Sequence, residues 1–183
     1  MRRNVISADV FIAMPGKRSD FFYAAIEAIR NVNATVSDDF SVIFNFSHWT
    51  DLRDQIVRPR KQLQDDINQL IQECDFAIIV EPDGGNLRRK NGKTYTQQEF
   101  MDLYQKSIRD MKLPNRLFVA FQEKQIESES QGSGKKEADP EKSKKKINYK
   151  KMIQYRTFDG IDHLVSLIED FLKTKRDELL QSE

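Results

Sequence analysis

The sequence has little of what disulfide, metal and membrane chemistries need. Cys74 is the one cysteine in 183 residues, which excludes an internal disulfide framework and a four-cysteine zinc site. The two histidines, His48 and His163, lie far apart and do not make a histidine-rich metal centre, so no metal is expected. An excess of one charge is missing too: 30 Lys and Arg against 29 Asp and Glu leave a formal net charge of +1. That balance removes the electrostatic case for direct nucleic-acid contact. No apolar run approaches the ~18 residues of a membrane span, and the mean hydropathy is −0.68. Behind Met1-Arg2-Arg3-Asn4 there is no long apolar stretch and no small-residue cleavage site. These absences lead us to expect a soluble cytoplasmic protein with no membrane partner. The length predicts a single domain over residues 1–183.

What is present is an alternation of short apolar runs and helical patterns. Asp9-Val10-Phe11-Ile12-Ala13-Met14 is short and stops at Pro15-Gly16, which predicts a buried strand. Phe22, Ala25, Ile26, Ile29 and Val32 then recur at helical spacing, with Ser19 or Asp20 as the expected N-cap. A second strand is predicted over residues 40–46, where Val42, Phe44 and Phe46 alternate with Ser41, Ile43 and Asn45. A helix starting near Pro59 carries Leu63, Ile67, Leu70, Ile71 and Cys74 on one face. Phe76-Ala77-Ile78-Ile79-Val80 is the clearest buried strand. A polar loop over residues 81–95 leads to a helix with Phe100, Leu103, Tyr104, Ile108 and Met111 inward, and Leu117-Phe118-Val119-Ala120-Phe121 reads as a fourth strand. Residues 123–151 hold nine lysines, six acids, four serines and two glycines, too little apolar surface to offset chain ordering, so a mobile insertion is expected. A short strand over residues 152–158 and a helix from about Asp159 follow, the helix with Ile161, Leu164, Val165, Ile168, Leu172 and Leu179 inward.

Strand and helix alternating five times predict an α/β fold: a parallel sheet with helices on both faces. The flavodoxin-like order 2-1-3-4-5 is expected, and ligands then bind where the first and third strands release the chain. The loops there span residues 15–20 and 81–95. Trp49 leaves the second strand toward the same edge. A helix N-terminus at Thr96 offers N–H groups to an anion. An aromatic face, N–H groups, cations and a carboxylate together suit a nucleotide-like ligand.

The carboxylate is Glu99. Thr96-x-x-Glu99 matches a capping box, in which Glu99 reaches back to the helix start. Alternatively, Glu99 faces the crevice, where a carboxylate can stabilise an oxocarbenium-like centre as an N-glycosidic bond breaks. Trp49 reads either as a base-stacking platform or as a packing residue. Gly84-Gly85 permits a tight turn. Arg88-Arg89-Lys90 suits a diphosphate or plain solvation. Cys74, on an inward helix face, reads as buried and inert. Neither a Walker A loop nor G-x-G-x-x-G is present.

Three blocks carry a resemblance. They are Asp9-Val10-Phe11-Ile12-Ala13; the stretch from Gln64 through Ile67, Asn68, Leu70, Ile71 and Glu73-Cys74-Asp75 to Val80; and Gly92-Lys93-Thr94-Tyr95-Thr96-Gln97-Gln98-Glu99-Phe100 with Leu117-Phe118-Val119-Ala120-Phe121. Over residues 7–122, and more loosely 152–175, the chain resembles bacterial Toll/interleukin-1 receptor (TIR) and TIR-like domains and the related nucleoside 2-deoxyribosyltransferases. The resemblance implies a flavodoxin-like fold and cleavage of the nicotinamide–ribose bond of NAD⁺, which is substrate, with no further cofactor. It implies Glu99 as the catalytic acid, with Ala13, Met14, Pro15, Gly16, Lys17, Trp49, Gly84 and Thr96 framing the substrate. Arg88, Arg89 or Lys93 would hold the diphosphate. Tyr95 stands where many TIR enzymes carry a tryptophan, and is counted with the substrate-framing residues. Self-association and a role as an antiphage effector follow from the same resemblance. A non-catalytic interaction module and a nucleoside deoxyribosyltransferase are the alternatives.

Overall fold

Apolar runs closed by turn residues form the strands, and amphipathic stretches between them form the helices that cover those strands. A computed structural model of the chain describes residues 4–16, 18–35, 40–47, 60–83, 92–109, 116–123 and 152–182. The elements are β1 (Asn4–Ala13), α1 (Ser19–Ala34), β2 (Phe40–Ser47), α2 (Arg60–Glu73), β3 (Phe76–Val80), α3 (Tyr95–Arg109), β4 (Leu117–Gln122), β5 (Arg156–Phe158) and α4 (Ile161–Gln181). All strand pairs are parallel and the order is β2-β1-β3-β4-β5, the flavodoxin-like arrangement expected from the alternation. The Lys-rich stretch over residues 124–151 lies outside the described residues, as does Pro59.

Two cores form because successive strand side chains point to opposite faces. Ala8, Val10, Ile12 and Met14 of the first segment meet Phe21, Ala24, Ala25, Ala28, Ile29 and Val32 of α1, and Leu164, Ile168 and Leu172 of α4. The alanines of α1 keep its inner face small, so α4 packs beside it. Phe21 meets the ring of Phe158 edge-on at 5.4 Å. On the other face, Phe11, Ala13, Ala77 and Ile79 pack with Ile67, Ile71 and Cys74 from the end of α2, and with Phe100 and Leu103 of α3. Full burial of each large apolar side chain contributes about 1.5–3 kcal/mol.

Register between β1 and β3 is pinned where β3 begins. The Asp75 carboxylate accepts the Asp9 N–H at 2.9 Å, and the Asp75 N–H donates to the Asp9 carbonyl at 2.8 Å. Val10 then lies opposite Phe76, and Ala13 opposite Ile79.

Several expectations are corrected. β1 begins at Asn4, five residues earlier than its apolar run, because Asn4 to Asp9 pair only with β2, and Val5, Ser7 and Asp9 stay exposed. The N-cap of α1 is Arg18, not Ser19 or Asp20, and it makes no side-chain cap. Ile108 is 51% exposed, and Ser107 takes the inward position on α3. β5 is only three residues, since β4 offers it only Ala120, Phe121 and Gln122 to pair with; Ile153 and Tyr155 serve instead as packing residues. Lys175 is 4% exposed on the inner face of α4, its ammonium on the Glu178 carboxylate at 2.7 and 2.8 Å.

Cys74 is buried and its thiol, pushed up to about 11 chiefly by burial, donates to the Ile71 carbonyl at 3.4 Å. A maleimide or disulfide reagent at neutral pH is expected to leave it unmodified in the folded protein and to modify it fully in denaturant. Rapid labelling of the native protein would contradict this packing.

Candidate functional site

The strand order places the reversal of chain direction between β1 and β3. Beyond Ala13, the chain turns toward α1 and β2; beyond Val80, it turns toward α3 and β4. Both ends lie at the carboxyl edge of the sheet, where ligands of open parallel sheets bind.

On the β1 side, Met14 and Pro15 are buried and Gly16 is exposed. The Arg18 N–H closes this turn on the Pro15 carbonyl at 2.9 Å, and the Arg18 carbonyl accepts from Phe21 N–H at 3.1 Å. The Arg18 guanidinium grips Asp20 in a fork, Nε to Oδ1 at 3.0 Å and Nη2 to Oδ2 at 2.8 Å, and lies 3.6 Å over the Phe21 ring. The hydrogen bond from Arg18 holds the Asp20 carboxyl below its ordinary range. Asp20 in turn raises Arg18, with a smaller electrostatic contribution from Glu81. The field of Glu81, at the end of β3, thus reaches the turn that leaves β1.

Glu81 is 1% exposed and adopts φ of 50°, the left-handed region. For a residue with a Cβ this costs about 1 kcal/mol or more. The bend is held from both ends: its N–H donates to the Ala120 carbonyl at 2.9 Å, and its carboxylate accepts the Gln122 N–H. Pro82 and Asp83 continue from it. The Pro82 carbonyl accepts the Thr94 hydroxyl at 2.8 Å, and the Asp83 carboxylate accepts from the Gln97 side chain. The first turn of α3 is thereby tied to the exit of β3.

That first turn is where the sequence expectation needs correcting. The capping box exists, but Thr94 and Gln97 form it, two residues before Thr96 and Glu99. The Thr94 hydroxyl accepts the Gln97 N–H at 3.0 Å, and the Gln97 side-chain oxygen accepts the Thr94 N–H at 2.7 Å. Thr94-x-x-Gln97 fits the same pattern as Thr96-x-x-Glu99. The register was readable from the inward stripe: counting back four from Phe100 puts Thr96 inside the helix. Thr96, Glu99, Phe100, Leu103 and Ser107 are the buried residues of α3. Glu99 is 7% exposed on this sheet-facing stripe, one turn into the helix.

Pro15 and Gly16 follow the carboxyl end of β1, and Thr96 and Glu99 lie in the first turns of α3, whose start is tied to the exit of β3. Ala13 and Met14 contribute their side chains to the two cores, one to each face. Tyr95 is 46% exposed. Lys17, Trp49, Gly84 and Arg88 lie outside the described residues, as do Arg89 and Lys90. Arg18, Asp20 and Glu81 are additional polar groups at this end. The sequence marks Asp20 only as a candidate cap, and nothing in a non-glycine residue announces a positive φ.

Compared with known proteins, the chain matches no protein-family model and no curated protein sequence. Among the described residues, no group of three or more His, Cys, Asp or Glu side chains is arranged to hold a metal, and no helix is long and apolar enough to cross a membrane. A hollow lined by Cys74, Asp75, Lys106, Ser107 and Arg116 sits at the opposite, amino-terminal end of β3 and β4. Its lysine caps the Cys74 carbonyl at 2.6 Å, and its thiol is held protonated.

Two outcomes follow. Thr94→Ala removes the cap and the tie to Pro82; it is expected to lower unfolding free energy by about 1 kcal/mol, with a range of ~0.5–2. The loss should be non-additive with Gln97→Ala in a double-mutant cycle; additivity would contradict the reciprocal box. The Arg18–Asp20 pair stabilises the fold above the unfolded-state pKa of Asp20, and that contribution is lost as pH falls through its lowered folded value. Asp20→Asn should flatten the acid limb of the stability profile below about pH 4; an unchanged limb would contradict the pairing.

Proposed function

We propose that the chain is a TIR-like NAD⁺ glycohydrolase that cleaves the nicotinamide–ribose bond. The observation that carries this reading is Glu99: an acidic residue 7% exposed on the sheet-facing stripe of α3, while Thr94 and Gln97 cap the helix. The resemblance of residues 92–100 to the glutamate-bearing block of TIR enzymes supplies the reaction class.

In this reading the pyridinium C–N bond of NAD⁺ breaks, its electron pair leaves with neutral nicotinamide, and positive charge develops on the ribose. Glu99 accepts hydrogen bonds from ribose hydroxyls and offsets that charge. Water adds to the anomeric carbon and releases a proton, giving ADP-ribose; attack by an internal nucleophile gives a cyclised form instead. The N–H groups at the start of α3 and Arg88, Arg89 or Lys93 take the diphosphate. Activity depends on self-association, and the biological role is that of an antiphage effector.

The test is nicotinamide release from NAD⁺ by concentrated protein. Wild type is expected to release it, and Glu99→Gln to lose at least about 100-fold in rate, as removal of a charge-stabilising group does, with its circular dichroism unchanged. Equal rates for both proteins would contradict the assignment. Exchange of base between a deoxynucleoside and free nucleobase, without nicotinamide release, would make the chain a deoxyribosyltransferase. Silence in both assays would leave an interaction module.

A further inference from the structure

Strand β2 forms an edge of the sheet: among the described residues it pairs with β1 alone. Its sequence, Phe40-Ser41-Val42-Ile43-Phe44-Asn45-Phe46-Ser47, holds no charge and no proline. The nearest charged residues in the chain stand beyond its ends, at Asp39 and Asp51. An uncharged, aromatic-rich edge of this length is a template on which another strand can form, and it lacks the usual charged or proline interruptions. Two copies brought together edge to edge would meet no repulsion within the strand.

One group occupies the template. Asn33, in the last turn of α1, donates from its amide nitrogen to the Phe44 carbonyl at 3.0 Å, and its amide oxygen accepts the Phe44 N–H at 3.0 Å. In a parallel pair, a residue's N–H and C=O point to the same side, and alternate residues face opposite sides. β2 bonds β1 through the other set, so the Phe44 groups point outward, together with those of Val42 and Phe46. A carboxamide carries the donor and acceptor of a peptide group. Asn33 therefore satisfies the middle of the edge as a neighbouring strand's backbone would.

We propose that Asn33 guards the β2 edge, and that the partner it excludes is the β2 strand of a second copy of this chain. With the carboxamide in place, an incoming strand finds its central hydrogen-bonding position taken. Without it, outward groups at Val42, Phe44 and Phe46 form a continuous row.

Sedimentation of wild type and Asn33→Ala over a concentration series tests this. Asn33→Ala is expected to shift from the wild-type mass to a higher one as concentration rises. Adding Ile43→Lys, at a position 40% exposed on β2, should return the mass to the wild-type value by placing a charge within the paired segment. A variant that keeps the wild-type mass overturns the proposal, as does association that Ile43→Lys leaves intact. Hydrogen exchange on the wild-type protein decides the matter even if Asn33→Ala does not fold. The Phe44 amide should exchange about tenfold or more slower than the Val42 and Phe46 amides on the same edge. Equal rates at the three positions overturn the proposal.

Discussion

Strand β1 pairs with β2 along Asn4 to Phe11 and with β3 along Val10 to Ala13, so Val10 and Phe11 are flanked on both sides by the strands that divide the chain's path. From this pairing the rest of the arrangement follows. The chain must leave β1 toward one side and β3 toward the other, so the switch in chain direction falls at their carboxyl ends. The reciprocal bonds between Asp9 and Asp75 hold the register that aligns those ends. A slip by one residue would turn Phe11 and Ala13 away from α2 and α3, and Val10 and Ile12 away from α1 and α4.

At the carboxyl ends of β1 and β3, a set of polar side chains holds the loops in place. Thr94 and Gln97 start α3, and through Pro82 and Asp83 they fix that start to the exit of β3. Arg18 and Asp20 hold the turn after β1 against Phe21. Glu81 bends the chain at the end of β3 and anchors it to β4 through Ala120 and Gln122. Glu99 lies one turn further in, on the buried stripe of α3.

Much of the fold was legible because buried parallel strands read as short continuous apolar runs, and because crossovers restrict the order in which they assemble. Phe76 to Val80 and Leu117 to Phe121 are such runs. The first half of β1 was not legible: Val5 and Ser7 face solvent and pair only toward β2, so no apolar pattern marks them. The cap of α3 was ambiguous because two overlapping Thr-x-x-acid/amide patterns lie two residues apart, and only the inward stripe through Phe100 separates them. No local pattern marks Lys175 as buried; its ammonium is taken by Glu178, three residues on. Of the candidate site, Glu99 could be singled out from its position after the third strand. The tie of Glu81 to β4 could not, since contacts between residues 41 apart leave no local pattern.

The central claim is that ligand binds at the carboxyl ends of β1 and β3, against the start of α3. Amide chemical shifts of isotope-labelled Glu99→Gln protein, titrated with NAD⁺ so that turnover does not intervene, test it most directly. The account predicts saturable shifts concentrated at Gly16, Arg18, Glu81, Asp83 and Thr94 to Gln97. Shifts concentrated at Asp75, Lys106 and Arg116, at the other end of the strands, would contradict it, as would a spectrum that NAD⁺ leaves unchanged.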